Sequence, residues 1–192
     1  MTRLHLVRHG PTHARSMVGW SDLPADLSDV ALVERVADFL PADGLVISSD
    51  LRRAADTATA IAGGRSRLAH DPDLREINFG AWELRKFGEI EAEDPNRIRA
   101  FWEEPGDVRA PGGESWKEVA ARVDAAIDRL IVAHPGRDII IVAHFGAILT
   151  QVQRAEQLTP EQVFAHRIDN LSVTELHHFD TGWQVVRINH LP

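Results

Sequence analysis

The chain contains no cysteine, which removes disulfides, thiol nucleophiles and thiolate metal sites at once and leaves the redox compartment open. It has no excess of positive charge either. The formal net charge is -8, so the surface repels nucleic acid and anionic membranes. No stretch approaches the ~20 apolar residues that span a bilayer. The opening MTRLHLVRHG has no apolar run of signal-peptide length, and a cytoplasmic location is the expectation. Of the ten histidines only His177 and His178 are adjacent, and no His-x-x-x-His helix pair or carboxylate-rich loop supplies metal-ligand spacing. Repeats, low-complexity tracts and a linker suited to a domain boundary are also missing, so the 192 residues are expected to form one domain, 1–192. An acidic chain that binds an anion must concentrate its positive charge in one pocket.

What is present reads as strands alternating with helices. Leu4 to Val7 is a short apolar run that stops at Arg8-His9-Gly10-Pro11. Ser28 is placed to cap a helix through Ala31, Val33, Val36, Ala37 and Leu40. Leu45 to Ser48 reads as a buried strand running into an alanine-rich helix that ends near Gly63-Gly64. Glu83 to Glu104 is charged and helical in pattern, broken by Pro95. Trp116, Val119, Ala120, Val123, Ile127, Leu130 and Ile131 recur at helical spacing. Ile139 to Ala143 is wholly apolar and β-branched until its last residue, hence a central strand. It stops at His144, and a helix through Ile148, Leu149 and Val152 follows. Ser172 to Leu176 and Trp183 to Ile188 are further strands around a turn at Asp180-Thr181-Gly182. The alternation implies a three-layer α/β/α sandwich with a mostly parallel central sheet. Three strands, ending at Arg8, Ser49 and His144, finish in polar or basic groups, and ligands of open α/β sheets sit outside the carboxyl ends of the strands.

Four clusters carry candidate chemistry. In Arg8-His9-Gly10-Pro11-Thr12 a guanidinium able to grip two phosphate oxygens stands beside an imidazole able to form covalent intermediates. In Ser49-Asp50-Leu51-Arg52-Arg53-Ala54 two arginines open a helix, where the macrodipole disfavours cations unless an anion is bound there. The bland alternative is a pair of surface arginines matched to Asp50 and Asp56. Leu74 to Glu83 holds Glu76 beside apolar residues, an arrangement suited to general acid work. Val142-Ala143-His144-Phe145-Gly146 closes the most hydrophobic strand with a histidine, which a hydrogen-bonded core histidine would also explain.

In combination, the order and spacing of these clusters resemble the histidine phosphatase superfamily, the phosphoglycerate-mutase-like proteins, in its short phosphatase branch. The likeness runs from Leu6 to Leu176. It includes Arg8-His9-Gly10, the Ser-Asp-Leu-x-Arg-Ala pattern ending at Ala54, the Leu-Arg-Glu-x-x-Phe-Gly-x-Trp-Glu pattern, Pro111-Gly112-Gly113-Glu114-Ser115, Val142-Ala143-His144 and Asn170 to Thr174. The resemblance implies a phosphoglycerate-mutase-like fold and a metal-independent histidine acid-type phosphatase acting on a small-molecule phosphomonoester, with no cofactor. It implies His9 as nucleophile, a phosphohistidine intermediate, Arg8, Arg53, His144 and Thr12 as phosphate ligands, and Glu76 as the acid and later the base. Two positions depart from the pattern: Arg15, where many relatives carry an amide, and Phe145, where they often carry glycine. Both bear on pocket shape.

Alternatives stand beside this reading. Phosphoglycerate-mutase-type transfer is disfavoured by the short chain and by Phe79-Gly80-Ala81-Trp82-Glu83 after the acid. An α-ribazole-phosphate phosphatase is suggested by the wording around Arg53. A binding module that has lost catalysis would be expected to lack at least one of Arg8, His9, Arg53, Glu76 and His144, and all five are present. Trp20, Trp82 and Trp102 are candidates to touch the organic part of a substrate, with core packing the ordinary explanation for each. The sequence gives no reading of oligomeric state.

Overall fold

A computed structural model describes residues 1–192. Strand β1 (Thr2–Arg8) lies in the middle of a five-stranded sheet of order β2-β3-β1-β4-β5. Its neighbours β3 (Asp138–Ala143) and, beyond it, β2 (Leu45–Ser48) are parallel to it. On the other side β4 (Val173–Phe179) is antiparallel to β1, and β5 (Gly182–His190) is antiparallel to β4. Strand β4 alone therefore runs against the other four. Both late strands outrun the apolar patterns that reveal them, because cross-strand pairing in the hairpin carries them past the last apolar residue.

Side chains of the central strands alternate between two cores, as the period of two demands. Leu4, Leu6, Ile139 and Ile141 face the larger one, under α5 (Trp116–Ala133) and α6 (Phe145–Glu156). Val7, Ile140 and Val142 face the smaller one, under α1 (Val30–Phe39) and α2 (Arg52–Ala62). Helices thus cover both faces, as the alternation of elements predicts. Helix α5 starts with a reciprocal capping box between Ser115 and Glu118, a device of about 1 kcal/mol. Helix α1 is capped by Asp29, whose carboxylate accepts from the Leu32 N–H. Ser28 is not the cap, because it sits in a turn of its own in which its N–H donates to Asp26. Pro95 occupies the first turn of α4 (Pro95–Glu103), where its missing N–H costs nothing, and so separates α4 from α3 (Phe87–Glu93). The short helix α7 (Pro160–Val163) has no counterpart in the sequence reading; four residues are too few to show a period.

The parallel register decides where chemistry can gather. Arg8 pairs with Ala143, so His9 and His144 leave the sheet side by side. Ser48 pairs with Val142, which brings Ser49 to the same edge. Backbone bonds continue the ladder by one step, from His9 N to Ala143 O (3.1 Å) and from Ser49 N to Val142 O (3.2 Å).

Candidate active site

At this edge the rings of His9 and His144 lie 5.1 Å apart between centroids. His9 Nδ1 donates to the Gly10 carbonyl oxygen at 2.6 Å. A carbonyl can only accept, so Nδ1 carries the proton and Nε2 presents its lone pair. That lone pair accepts a bond from Arg53 Nε at 3.2 Å. Burial first, and then the Arg53 and Arg8 charges, push the His9 imidazole down to about 3, so it is neutral over the ordinary pH range. His144 is wholly buried and is likewise held well below the usual histidine range, chiefly by burial and then by His9 and Arg53. Its Nε2 is 2.7 Å from Ser49 Oγ, while its Nδ1 is buried without a protein partner.

Arg53 is 1% exposed, an unusual state for a guanidinium. Its fork is held by carbonyls of the 19–21 loop, with one terminal nitrogen donating to Ser21 O (2.8 Å) and the other to Gly19 O (2.6 Å). Neither Asp50 nor Asp56 pairs with it. Asp50 instead forms a two-pronged pair with Arg75, at 2.7 and 2.6 Å. The surface-pair alternative for Arg53 is therefore wrong. Arg8 donates to Ile168 O at 2.6 Å, lies 5.5 Å from the Phe145 ring centre and has a buried, unpartnered Nε. Burial lowers both arginines from their ordinary value, partly offset by the negative charge of Glu76.

The Glu76 carboxylate accepts from Ile77 N (2.9 Å) and, through both oxygens, from Gly146 N (3.0 and 3.1 Å). Gly146 is needed for this approach, since a Cβ there would stand 2.3 Å from Glu76 Oε1. The Glu76 main chain is clamped as well, its carbonyl accepting from Trp20 Nε1 (2.8 Å) and from Arg122 (3.2 Å).

Arg8, His9, Thr12, Arg53 and Glu76 border one cavity of ≈ 260 Å³, with His144 packed against His9 behind it. Residues from four separate segments thus converge on one place. Of the three tryptophans, only Trp102 borders the cavity. Trp82 is buried against Phe101, and Trp20 is spent on Glu76 and on stacking with Arg75.

Three supporting residues, Glu83, Asn170 and Ser49, lay inside quoted motifs without an assigned role. The Glu83 carboxylate accepts from the N–H groups of Gly19, Trp20 and Ser21, from Ser21 Oγ and from Phe79 N. It therefore fixes the loop whose carbonyls hold Arg53. Asn170 donates to the His9 carbonyl at 2.8 Å. Ser49 meets His144. None of the three roles carries a local signal, because the contacts that define them, Glu83 with the 19–21 loop, Ser49 with His144 and Asn170 with His9, span 62 to 161 residues.

Comparison with known proteins places this geometry. A bifunctional protein of Mycobacterium tuberculosis is 30% identical over 97% of this chain, and the chain spans 53% of that protein's length. A metal-independent phosphoserine phosphatase of Arabidopsis thaliana is 31% identical over 95% of the chain and 79% of its own length. Among solved structures, Bacillus stearothermophilus YhfR superposes with a TM-score of 0.90 at 28% identity, covering 100% of this chain and 98% of the other. The sequence model of the histidine phosphatase superfamily (branch 1) matches residues 4–191. The convergence of two histidines and two arginines at the ends of β1, β2 and β3 is thus carried on a chain that belongs to the histidine phosphatase superfamily.

Proposed function

We propose that the chain hydrolyses small-molecule phosphomonoesters by way of a phosphohistidine on His9, as a metal-independent, histidine acid-type phosphatase. The single observation that carries this is the state of His9: a neutral imidazole with its proton fixed on Nδ1 and its Nε2 lone pair facing the buried Arg53 guanidinium, with the Arg8 charge nearby. Nε2 attacks phosphorus in line with the leaving oxygen. Arg8, Arg53 and His144 bind the non-bridging oxygens, where negative charge is spread through the transition state. The buried donors without protein partners, Arg8 Nε and His144 Nδ1, suit that task. Arg53 Nε releases His9 as it turns to the phosphoryl group, and Thr12 adds a hydroxyl at the rim. Glu76, having taken up a proton from solvent or from the substrate's phosphate, delivers it to the leaving oxygen, then takes one from the water that cleaves the P–N bond and returns free phosphate.

The reading treats residues 1–192 as one histidine-phosphatase domain without a cofactor, working in the cytoplasm. The test is hydrolysis of 4-nitrophenyl phosphate by the purified protein. Turnover should persist in excess chelator, be inhibited by vanadate, and vanish in His9→Ala. A requirement for a divalent ion, or wild-type turnover by His9→Ala, refutes the proposal.

A further inference from the structure

The cavity above His9 is bordered by two chemically distinct sets of residues. One is Arg8, His9, Arg53 and Glu76. The other is Ala14, Met17, Val18, Phe79, Trp102 and Phe145, and the remaining polar lining is limited to the Thr12 and Ser16 hydroxyls. Apart from Arg8 and Arg53, no cation borders the cavity. Both of those face the phosphoryl group, and all three nitrogen positions of Arg53 are already engaged. Arg15 follows Ala14, which lines the cavity, but its own side chain is exposed and lies outside the lining.

The apolar lining extends beyond the cavity. Phe79, Trp102, Phe145 and Glu76 also border a small, partly open notch of ≈ 30 Å³ lined otherwise by Ile77, Phe101, Pro105, Trp116, Gly146 and Phe164. The aromatic rings there are locked together. Phe101 meets Trp102 edge-on at 5.0 Å, and Trp102 meets Phe164 edge-on at 5.9 Å. A leaving group that receives its proton from Glu76 must therefore lie against apolar and aromatic surface. An ionised carboxylate or second phosphate placed there loses water and gains no counter-charge, which is costly. An uncharged apolar group gains the burial instead.

We propose that this site selects phosphomonoesters whose leaving group is uncharged and apolar, such as aryl or bulky alkyl phosphates, and discriminates against esters bearing a second anion. The inference rests on the phosphatase reading above. It sets this chain apart from a phosphoserine-directed relative, whose substrate carries a carboxylate.

The experiment compares steady-state kinetics of the wild-type protein on 4-tert-butylphenyl phosphate and 4-carboxyphenyl phosphate. The two esters are of similar size, and the carboxylated phenol is intrinsically the better leaving group, so leaving-group chemistry works against the expected order. The kcat/KM for the tert-butyl ester should be higher by at least about ten-fold, with most of the difference in KM. Turnover of both esters with a ratio below ten, or with the order reversed, overturns the specificity inference and leaves the phosphatase reading standing. Turnover of neither overturns both.

Discussion

Substituting His9 by Gln probes the physical state of the imidazole independently of catalysis. Gln keeps an acceptor for Arg53 and removes the titratable ring. In the unfolded chain the ring takes a proton as pH falls through its ordinary value near 6.5, whereas in the folded chain burial and the arginines hold it neutral to about 3. Between those limits the unfolded state binds one more proton than the native state, so stability falls as pH falls. Each pH unit within the window costs about 1.4 kcal/mol. Moving from pH 7 to pH 4.5 should therefore cost the wild type about 2.5 kcal/mol that the variant does not lose. Burial, the first cause of the His144 shift, is present in both proteins and cancels in the comparison; the smaller part due to His9 is lost in the variant. Urea unfolding in phosphate-free buffer measures the difference. With a slope of about 1–3 kcal/mol per M, the wild-type midpoint should drop by roughly 1 M more than that of His9→Gln over this pH interval. Equal acid losses in the two proteins would refute the claim that His9 is buried as a neutral base between cations.

Two supporting contacts make further predictions. Gly146→Ala puts a methyl group where the Glu76 carboxylate sits; although alanine is by itself the better helix residue by about 0.5–1 kcal/mol, turnover of alkyl phosphates should fall by at least about ten-fold, and an unchanged kcat would show that the bond from Gly146 N to Glu76 is dispensable. Glu83→Gln sets a donor against the N–H groups of the 19–21 loop, so thermal unfolding should report a loss of about 2–3 kcal/mol. Vanadate inhibition should weaken with it as Arg53 loses its fixed position, and unaltered inhibition would break the proposed link from Glu83 to Arg53.

Local pattern was sufficient for most of the elements, the four-residue helix α7 excepted, and for naming candidate site residues. The apolar run ending at His144 is a fully buried strand, the helical stripe beginning at Trp116 is the long helix, and Pro95 divides two helices, because burial periodicity and backbone restriction are written over a few consecutive residues. Arg8, His9, Arg53, Glu76 and His144 stood out as candidates only in combination, through the resemblance of their clusters to the histidine phosphatase superfamily. What they do to one another was not legible. The lone pair of His9 that meets Arg53, the carbonyls that seize Arg53, the pairing of Asp50 with Arg75 rather than with Arg53, the clamp from Glu83 and the cation-poor aromatic lining all join residues remote along the chain. Such contacts leave no period or local preference to read. They come into being only when parallel pairing sets β1, β2 and β3 in register and the loops beyond them close over one cavity.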